Sequence, residues 1–437
     1  MFETIVALAT PPLKSALAII RLSGDDCFKI VSKVFSKEIK PNQNKEIHYG
    51  FIHDENKQID QVVVLSYVHP HSFTGEDSVE IICHGSTLIA NEIVSLLIKN
   101  GARMATNGEF SSRAYLNGKI DLVQAEAIND IINATTIESR DLSMLSLKGE
   151  TSNLFRPIKE KIAEILSQIE VNIDYPEYED IEVVTKSKII EVCGDICKEI
   201  DNLIDEGEHA RIYREGLKIA IVGKPNVGKS SILNRLIKSD KAIVTDIAGT
   251  TRDIVEGDFN LNGVPCHLFD TAGLRNSDDV IERIGIDKSK DAIEQSDLVI
   301  FVIDETGLDK ELYDLVKNKK HIVVTNKADL VKDKNNESIY ISAKENDVEP
   351  LINEIKKVMD IGELSVKPSF NNTRQLGLLK NISSSLKTAI EDAKNDQPID
   401  LVSVSIMVAY NAALDLIGEN NKNDLTDEIF SRFCVGK

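Results

Sequence analysis

The stretch LKIAIVGKPNVGKS, residues 217–230, decides how the centre of this chain folds. Leu217–Val222 reads as a buried strand, and Ser231-Ile232-Leu233 starts a helix with its apolar side inward. Between them Gly223-Lys224-Pro225-Asn226-Val227-Gly228-Lys229-Ser230 fits the phosphate-loop pattern G-x-x-x-x-G-K-[ST]. Glycines at 223 and 228 let backbone N–H groups turn toward phosphate oxygens with no Cβ in the way. The helix N-terminus adds its dipole, Lys229 reaches the β- and γ-phosphates, and the Ser230 hydroxyl is expected on magnesium. Two further signals follow in order, each behind a predicted strand: Asp270-Thr271-Ala272-Gly273 after His267-Leu268-Phe269, and Asn326-Lys327-Ala328-Asp329 after Ile322-Val323-Val324. Asp270 is expected to hold the magnesium through water, and the Gly273 N–H to sense the γ-phosphate. The Asp329 carboxylate can accept the guanine N1–H and 2-amino protons. Adenine lacks both donors and would leave a buried Asp329 unpaired, a mode of discrimination worth about 10⁴–10⁵. Ser342, Ala343 and Lys344, after Ile339-Tyr340-Ile341, complete the base pocket, so GTP is the nucleotide.

Working outward, the 437 residues allow two or three domains, and 42% hydrophobic content is ample for packed cores. The net charge of −20 excludes holding nucleic acid by the average field; RNA contact must come from a local basic patch or a partner. The six cysteines contain no C-x-x-C. Cys193 and Cys197, one helical turn apart, read as small core residues rather than metal ligands. The start has no basic n-region, and Pro11-Pro12 breaks the first apolar stretch. The longest obvious apolar run, Leu298–Ile303, is strand-sized and far short of a membrane span. These features predict a cytoplasmic protein in a reducing compartment, with no membrane partner.

Three zones differ in pattern. Residues 1–117 alternate short β-like runs (5–8, 18–20, 62–65, 79–82) with helical stretches such as 86–99, giving a compact α+β domain. Over 118–213 the period becomes helical: Ile158, Ile162, Ile165 and Ile169 share a face, as do Ile189, Cys193, Ile196 and Ile200. The GTPase domain spans 214–364, and helical spacing resumes over 365–437. The predicted fold is therefore α/β and α+β multidomain, a helical bundle interrupted by a Ras-like P-loop GTPase domain.

Outside the GTPase motifs the chain resembles the MnmE (TrmE) family of tRNA modification GTPases, over essentially its whole length. The residues that carry the likeness are Phe73-Thr74-Gly75-Glu76-Asp77 with Glu80 and His84-Gly85; Gly108-Glu109-Phe110-Ser111 with Arg113-Ala114; Leu116–Leu122 running into Gln124-Ala125-Glu126-Ala127; and the terminal Cys434-Val435-Gly436-Lys437. The chain departs from the family at Leu13–Ala18, at Ser86, at Asn107 and at Ser431-Arg432.

The resemblance implies an N-terminal domain that binds formyl- or methylene-tetrahydrofolate and forms a homodimer. It also implies a flavoprotein partner, MnmG, in a heterotetramer that adds a carboxymethylaminomethyl-type group to carbon 5 of wobble uridine in certain tRNAs. Arg21, Glu80, Lys119 and Lys437 would contact the folate; a pterin amide edge and a glutamate carboxylate suit such groups. Leu274 stands where Ras-like enzymes keep a water-positioning Gln. The family reading supplies potassium, held by Asn226, Thr245, Ile247 and Thr250, with Thr251 joining Ser230 on magnesium and Glu282 positioning the attacking water. Val227 and Ser231, and Asp246, Ala248 and Gly249 within the 245–251 stretch, line the nucleotide. The plainer alternatives are a turn-forming Asn226 and a solvated Glu282.

Cys434 is read as a catalytic residue near the one-carbon site. Nucleophile, acid and packing residue all stay open, while Gly436 and Lys437 argue against prenylation. The competing function is a ribosome-assembly GTPase, but such proteins carry a basic RNA-binding appendage and here the flanks are acidic. A dynamin-like mechanical GTPase would need a membrane-binding face, and none is evident.

Overall fold

The computed structural model describes residues 3–40, 46–55, 57–175, 184–239, 257–270, 292–305, 307–329, 339–345, 347–361, 366–420, 428–431 and 433–436. The chain is mixed α/β as expected, and its contacts divide it into two compact units. The first holds 1–129, 146–159 and 410–437; the second holds 130–145 and 160–409.

The first unit is built on a six-stranded sheet in the order β3-β4-β5-β2-β1-β6. Its strands are β1 (Ile5–Leu8), β2 (Leu17–Ser23), β3 (Glu46–Asp54), β4 (Lys57–Tyr67), β5 (Ser78–His84) and β6 (Arg103–Met104). Period-two alternation sends Ala18, Ile20 and Leu22 of β2, with Val79, Ile81 and Cys83 of β5, into one core. Helices Cys27–Val34 and Thr87–Lys99 contribute Ile30, Val31, Ile93 and Leu97 to that core. The alternate residues Ile5 and Ala7 pack with Phe110 of helix Glu109–Leu116. A further cluster joins Ala125 and Ile128 to Phe430 and Phe433 near the end of the chain.

In the second unit, helix Lys186–Glu215 runs antiparallel to helix Thr373–Lys394. Lys186 meets Asp396, Asp201 meets Lys387, and Glu208 meets Lys380. Thr185 and Asn372 cap the two N-termini with side-chain oxygens. The predicted faces are the observed ones: Ile189, Cys193, Ile196 and Ile200 are buried, and burial pushes the Cys193 thiol up to about 12. Gly207 lets the first helix approach closely, since a Cβ there would stand 2.2 Å from the Phe370 carbonyl oxygen.

The helix Lys186–Glu215 passes straight into the second sheet, ordered β12-β11-β10-β7-β9-β8. Its strands are β7 (Leu217–Gly223), β8 (Gly257–Leu261), β9 (Val264–Asp270), β10 (Leu298–Ile303), β11 (His321–Thr325) and β12 (Ile339–Tyr340). All neighbours are parallel except β8 with β9. The near-continuous apolar runs of β7 and β10 fit strands covered on both faces. Ala210 and Tyr213, from the helix's last turns, belong to this sheet's core.

One helix, Ile399–Ile417, is long and apolar enough by length and composition to cross a membrane, with mean hydropathy 1.5 over its best window. Its buried stripe of Val402, Ile406, Ala409, Ala413 and Leu416 has the spacing of a packed helix. Serines interrupt its apolar residues, so it contains no long uninterrupted run.

The short helix 109–116 is held by charge. Glu109 accepts from Arg103 at 2.6 Å, from Arg113 at 2.9 Å and from the Thr106 N–H at 2.9 Å. Burial alone would raise the Glu109 carboxyl, but these hydrogen bonds outweigh it and bring the pKa down to about 2. A carboxyl depressed in the fold contributes stability above its unfolded value, lost as pH falls towards the folded one. Urea denaturation at a series of pH values should therefore show Glu109→Gln less stable by about 2 kcal/mol near neutrality. The variant should also lose less stability than the parent on acidification. Parallel curves for the two proteins would contradict this account.

Candidate functional site

Because β7, β9, β10, β11 and β12 all run the same way, their C-terminal ends share one rim, where ligands of open parallel sheets bind. A cavity of 740 Å³ opens there, lined by Asn226, Gly228 and Ser231 with Asn326, Lys327, Asp329, Ser342, Ala343 and Lys344. The phosphate loop, the Asn-Lys-x-Asp loop and the Ser-Ala-Lys loop, far apart in sequence, thus meet as the motifs require.

Asn326 is the keystone. It is 3% exposed; its amide nitrogen donates to the Val227 carbonyl at 2.8 Å, and its oxygen accepts from the Ala343 N–H at 3.2 Å. Ser342 Oγ donates to Asp329 Oδ1 at 3.0 Å, so the carboxylate is aimed from behind. Asp329 itself is exposed at the cavity, not buried as the discrimination argument assumed. The base must therefore supply the desolvation when its N1–H and 2-amino edge meets the carboxylate. Lys229 Nζ donates to the carbonyls of Gly223 and Lys224, both at 2.8 Å, which suspends the ammonium within the loop. Asn226 is exposed in the left-handed region (φ 64°), a conformation Asn tolerates, so it forms the turn of the phosphate loop.

The sequence reading missed Arg235. Its Nε donates to the Ala343 carbonyl at 2.8 Å and its Nη2 to that of Lys344 at 3.4 Å, fastening the base loop to the helix Lys229–Ser239. Only its place six residues beyond Lys229 hinted at this. Ser230 is exposed in the first turn of the helix, fit to offer a hydroxyl. Thr245 to Thr251, Thr271 to Gly273 and Glu282 lie outside the described residues, as does the side chain of Asp270.

The first unit gathers the other predicted group. Arg21 and Glu80 are direct cross-strand neighbours in the β2–β5 register, and Arg21 Nε and Nη2 reach Glu80 Oε1 at 2.8 and 2.7 Å. The guanidinium carbon stands 5.8 Å from the Phe73 ring centre and 5.7 Å from that of Phe110, within cation–π range. Its Nη1 donates to the Gly436 carbonyl at 3.1 Å, so the tail lies against this pair. The Gly108 N–H donates to the Cys434 carbonyl at 3.4 Å, Asn107 pairs with Val435, and Asn107 Nδ2 donates to the Ser431 carbonyl. The departure at Asn107 thus holds the tail.

Lys119 Nζ donates to the Pro70 carbonyl at 3.0 Å, on the loop that also carries Phe73. Beneath, Glu76 accepts from Ser23 at 2.7 Å and from Arg113 at 3.0 Å. Cys434 is exposed while the other five cysteines are buried. Lys437 lies outside the described residues.

Comparison with known proteins places the chain in a family. Residues 122–434 match the family model described as MnmE helical domain, and residues 4–119 match that of the GTP-binding protein TrmE N-terminus. The tRNA modification GTPase MnmE of Ligilactobacillus salivarius (strain UCC118) is 40% identical over 458 residues, covering 100% of this chain and 98% of that protein. That of Lactococcus lactis subsp. cremoris (strain MG1363) is 41% identical over 449 residues, covering 100% and 99%. Among solved structures, Aquifex aeolicus Era bound to GDP.AlF4- shares 29% identity over 38% of this chain and 65% of that one. Its TM-score of 0.26 marks a likeness too slight to bear on the fold.

The keystone role of Asn326 has a sharp test at Gly228. A Cβ at that position, where φ is +96°, would stand 2.2 Å from Asn326 Nδ2 and drive the amide off Val227. Gly228→Ala should lower affinity for a fluorescent guanine nucleotide by about tenfold or more, roughly the worth of one lost hydrogen bond. Its circular dichroism should be unchanged. Undiminished affinity would show that the contact does not organise the site.

Proposed function

The chain belongs to the MnmE (TrmE) family of tRNA modification GTPases, and on that footing we propose that its GTP hydrolysis is potassium-stimulated and drives a folate-dependent modification of wobble uridine. With a flavoprotein partner, MnmG, it adds a carboxymethylaminomethyl-type group to carbon 5 in certain tRNAs. The observation that carries this reading is the Arg21–Glu80 pair with the chain's own tail lying on it, a polar site separate in sequence from the nucleotide cavity. A hydrolase serving only as a timer has no use for such a site.

The residues divide the work. Lys229 and the loop N–H groups bind the phosphates, and Asp329 with Ser342 binds the base. Ser230 and Thr251 would hold magnesium, with Asp270 acting through water. Asn226, whose exposed amide lies on the cavity wall, would hold potassium together with Thr245, Ile247 and Thr250. Such a cation supplies positive charge to the leaving phosphates where no arginine finger is at hand. Glu282 orients the water. In the N-terminal segment 1–117, Glu80, Arg21, Lys119 and Lys437 orient a tetrahydrofolate that supplies the one-carbon unit. Glu80, paired with Arg21 through its Oε1, is the carboxylate offered to a pterin edge. Segments 118–213 and 365–437 form the helical part, and 214–364 hydrolyses GTP.

A homodimer through the N-terminal segment is supported by edge strand β3, whose Ile47, Tyr49 and Phe51 alternate on one exposed face. The exposure of Cys434, on a tail whose Gly436 carbonyl accepts from Arg21, supports a chemical role for the thiol over packing.

Hydrolysis in potassium should exceed that in sodium by a large factor. Asn226→Gly, which keeps the left-handed backbone but removes the amide, should flatten the difference while GTP binding stays within a few-fold. Equal rates in the two salts for the parent protein would refute the potassium site. For the modification itself, nucleoside mass spectrometry of tRNA from a deletion strain should show the wobble group missing and restored by the parent gene. Cys434→Ser should leave hydrolysis and melting temperature intact but fail to restore the group. Full restoration would assign the thiol to packing.

A further inference from the structure

Asp304 is the first residue beyond β10, and its carboxylate is 9% exposed at the rim where the nucleotide cavity opens. The parallel register pairs Ile303 with Thr325, and the Asn326 N–H donates to the Ile303 carbonyl at 2.9 Å, which brings Asp304 alongside the Asn-Lys-x-Asp loop. The Gly307 N–H donates to the Asp304 carbonyl at 3.0 Å, fixing the aspartate at the head of a turn. From there Asp304 Oδ2 accepts from Lys327 Nζ at 2.8 Å. Lys327 lines the cavity, and its backbone is left-handed at φ 60°. That conformation takes its side chain out of the strand's alternation and turns it to where Asp304 meets it.

We infer that Asp304 is a positioning residue for guanine-nucleotide binding: it holds the Lys327 ammonium, and so lays the lysine stem along the cavity wall for the flat base and sugar to rest on. A lysine side chain has four methylenes, an apolar surface under a charged tip, and is disordered unless the tip is held. Burying a carboxylate is costly, and an apolar residue of similar size would serve stability as well. With the lysine side chain still 38% exposed, the pair adds little to stability, so its value lies in where it puts the stem. The same cavity holds Asp329 and Ser342, which bind the base; Asp304 is not part of its lining and acts on the site through Lys327.

The inference rests on the guanine-nucleotide reading of the cavity, and one titration separates the two. Failure of the parent chain to bind a fluorescent GTP analogue would overturn that reading and this inference with it. If the parent binds, Asp304→Asn, which keeps shape and loses charge, should raise the Kd and the KM for GTP by about tenfold, with kcat at saturation changed less than about twofold. Asp304→Glu, which keeps the charge, should recover affinity to within about threefold of the parent. In a Lys327→Met background the aspartate substitution should add less than about twofold, since the group it positions is gone. An Asp304→Asn Kd within about twofold of the parent, or the full effect persisting on Lys327→Met, would overturn the inference. If Asp304→Asn fails to fold, Asp304→Glu decides: near-parental affinity supports the role, and a tenfold loss refutes it.

Discussion

Parallel strands cannot be joined by a tight turn; each crossover must travel back over a face of the sheet. That constraint forces every strand-to-loop exit of β7, β9, β10 and β11 onto one rim. The phosphate loop, Asp270, Asp304 and the Asn326–Asp329 loop lie there together because of strand direction alone. What then remains is fine spacing, supplied by a few side chains that bridge neighbouring exits. Asn326 ties the phosphate loop to the base loop, and Arg235 ties the base loop to the helix after Lys229.

The first unit solves the same problem with different geometry. An antiparallel register puts Arg21 opposite Glu80, so an ion pair is specified by strand alignment rather than by loop conformation. A one-residue slip would move the pair to the other face and dissolve it. The tail then reaches this pair from 415 residues away in sequence. Backbone hydrogen bonds to Asn107 and Gly108, with Phe430 and Phe433 in a core, hold the tail segment that carries Cys434. Closing so long a loop has an entropic cost that grows only slowly with length, which makes such a long-range contact tolerable.

Motif spacing made the nucleotide cavity legible, since each loop's chemistry is written in contiguous residues behind an apolar run. Helical periodicity likewise disclosed the faces of 186–215 and 373–394. Residues that act across the fold were not legible. Arg235 and Asp304 look like an ordinary helix charge and an ordinary turn acid until the sheet sets them beside their partners. The exposure of Asp329 could not be read because it is set by what the fold packs around the loop and not by the loop's own residues. Asn107 read as a departure from a family pattern, and only the tail's position showed what an amide does there.

The helix Lys186–Glu215 is 30 residues long, with its last turns sunk in the core of the nucleotide-binding sheet. At about 1.5 Å per residue it is a rod of roughly 45 Å. Arg211 holds Asp297 at 3.2 Å, and Glu215 reaches the Thr373 hydroxyl, so the buried end is clamped on two sides. A rod held in that way would act as a lever. A tilt of about 5° at the sheet would carry the far end some 4 Å, roughly the spacing between neighbouring Cα atoms. Sub-ångström adjustments at the sheet would thus be read out as ångström-scale strokes at the other end of the bundle.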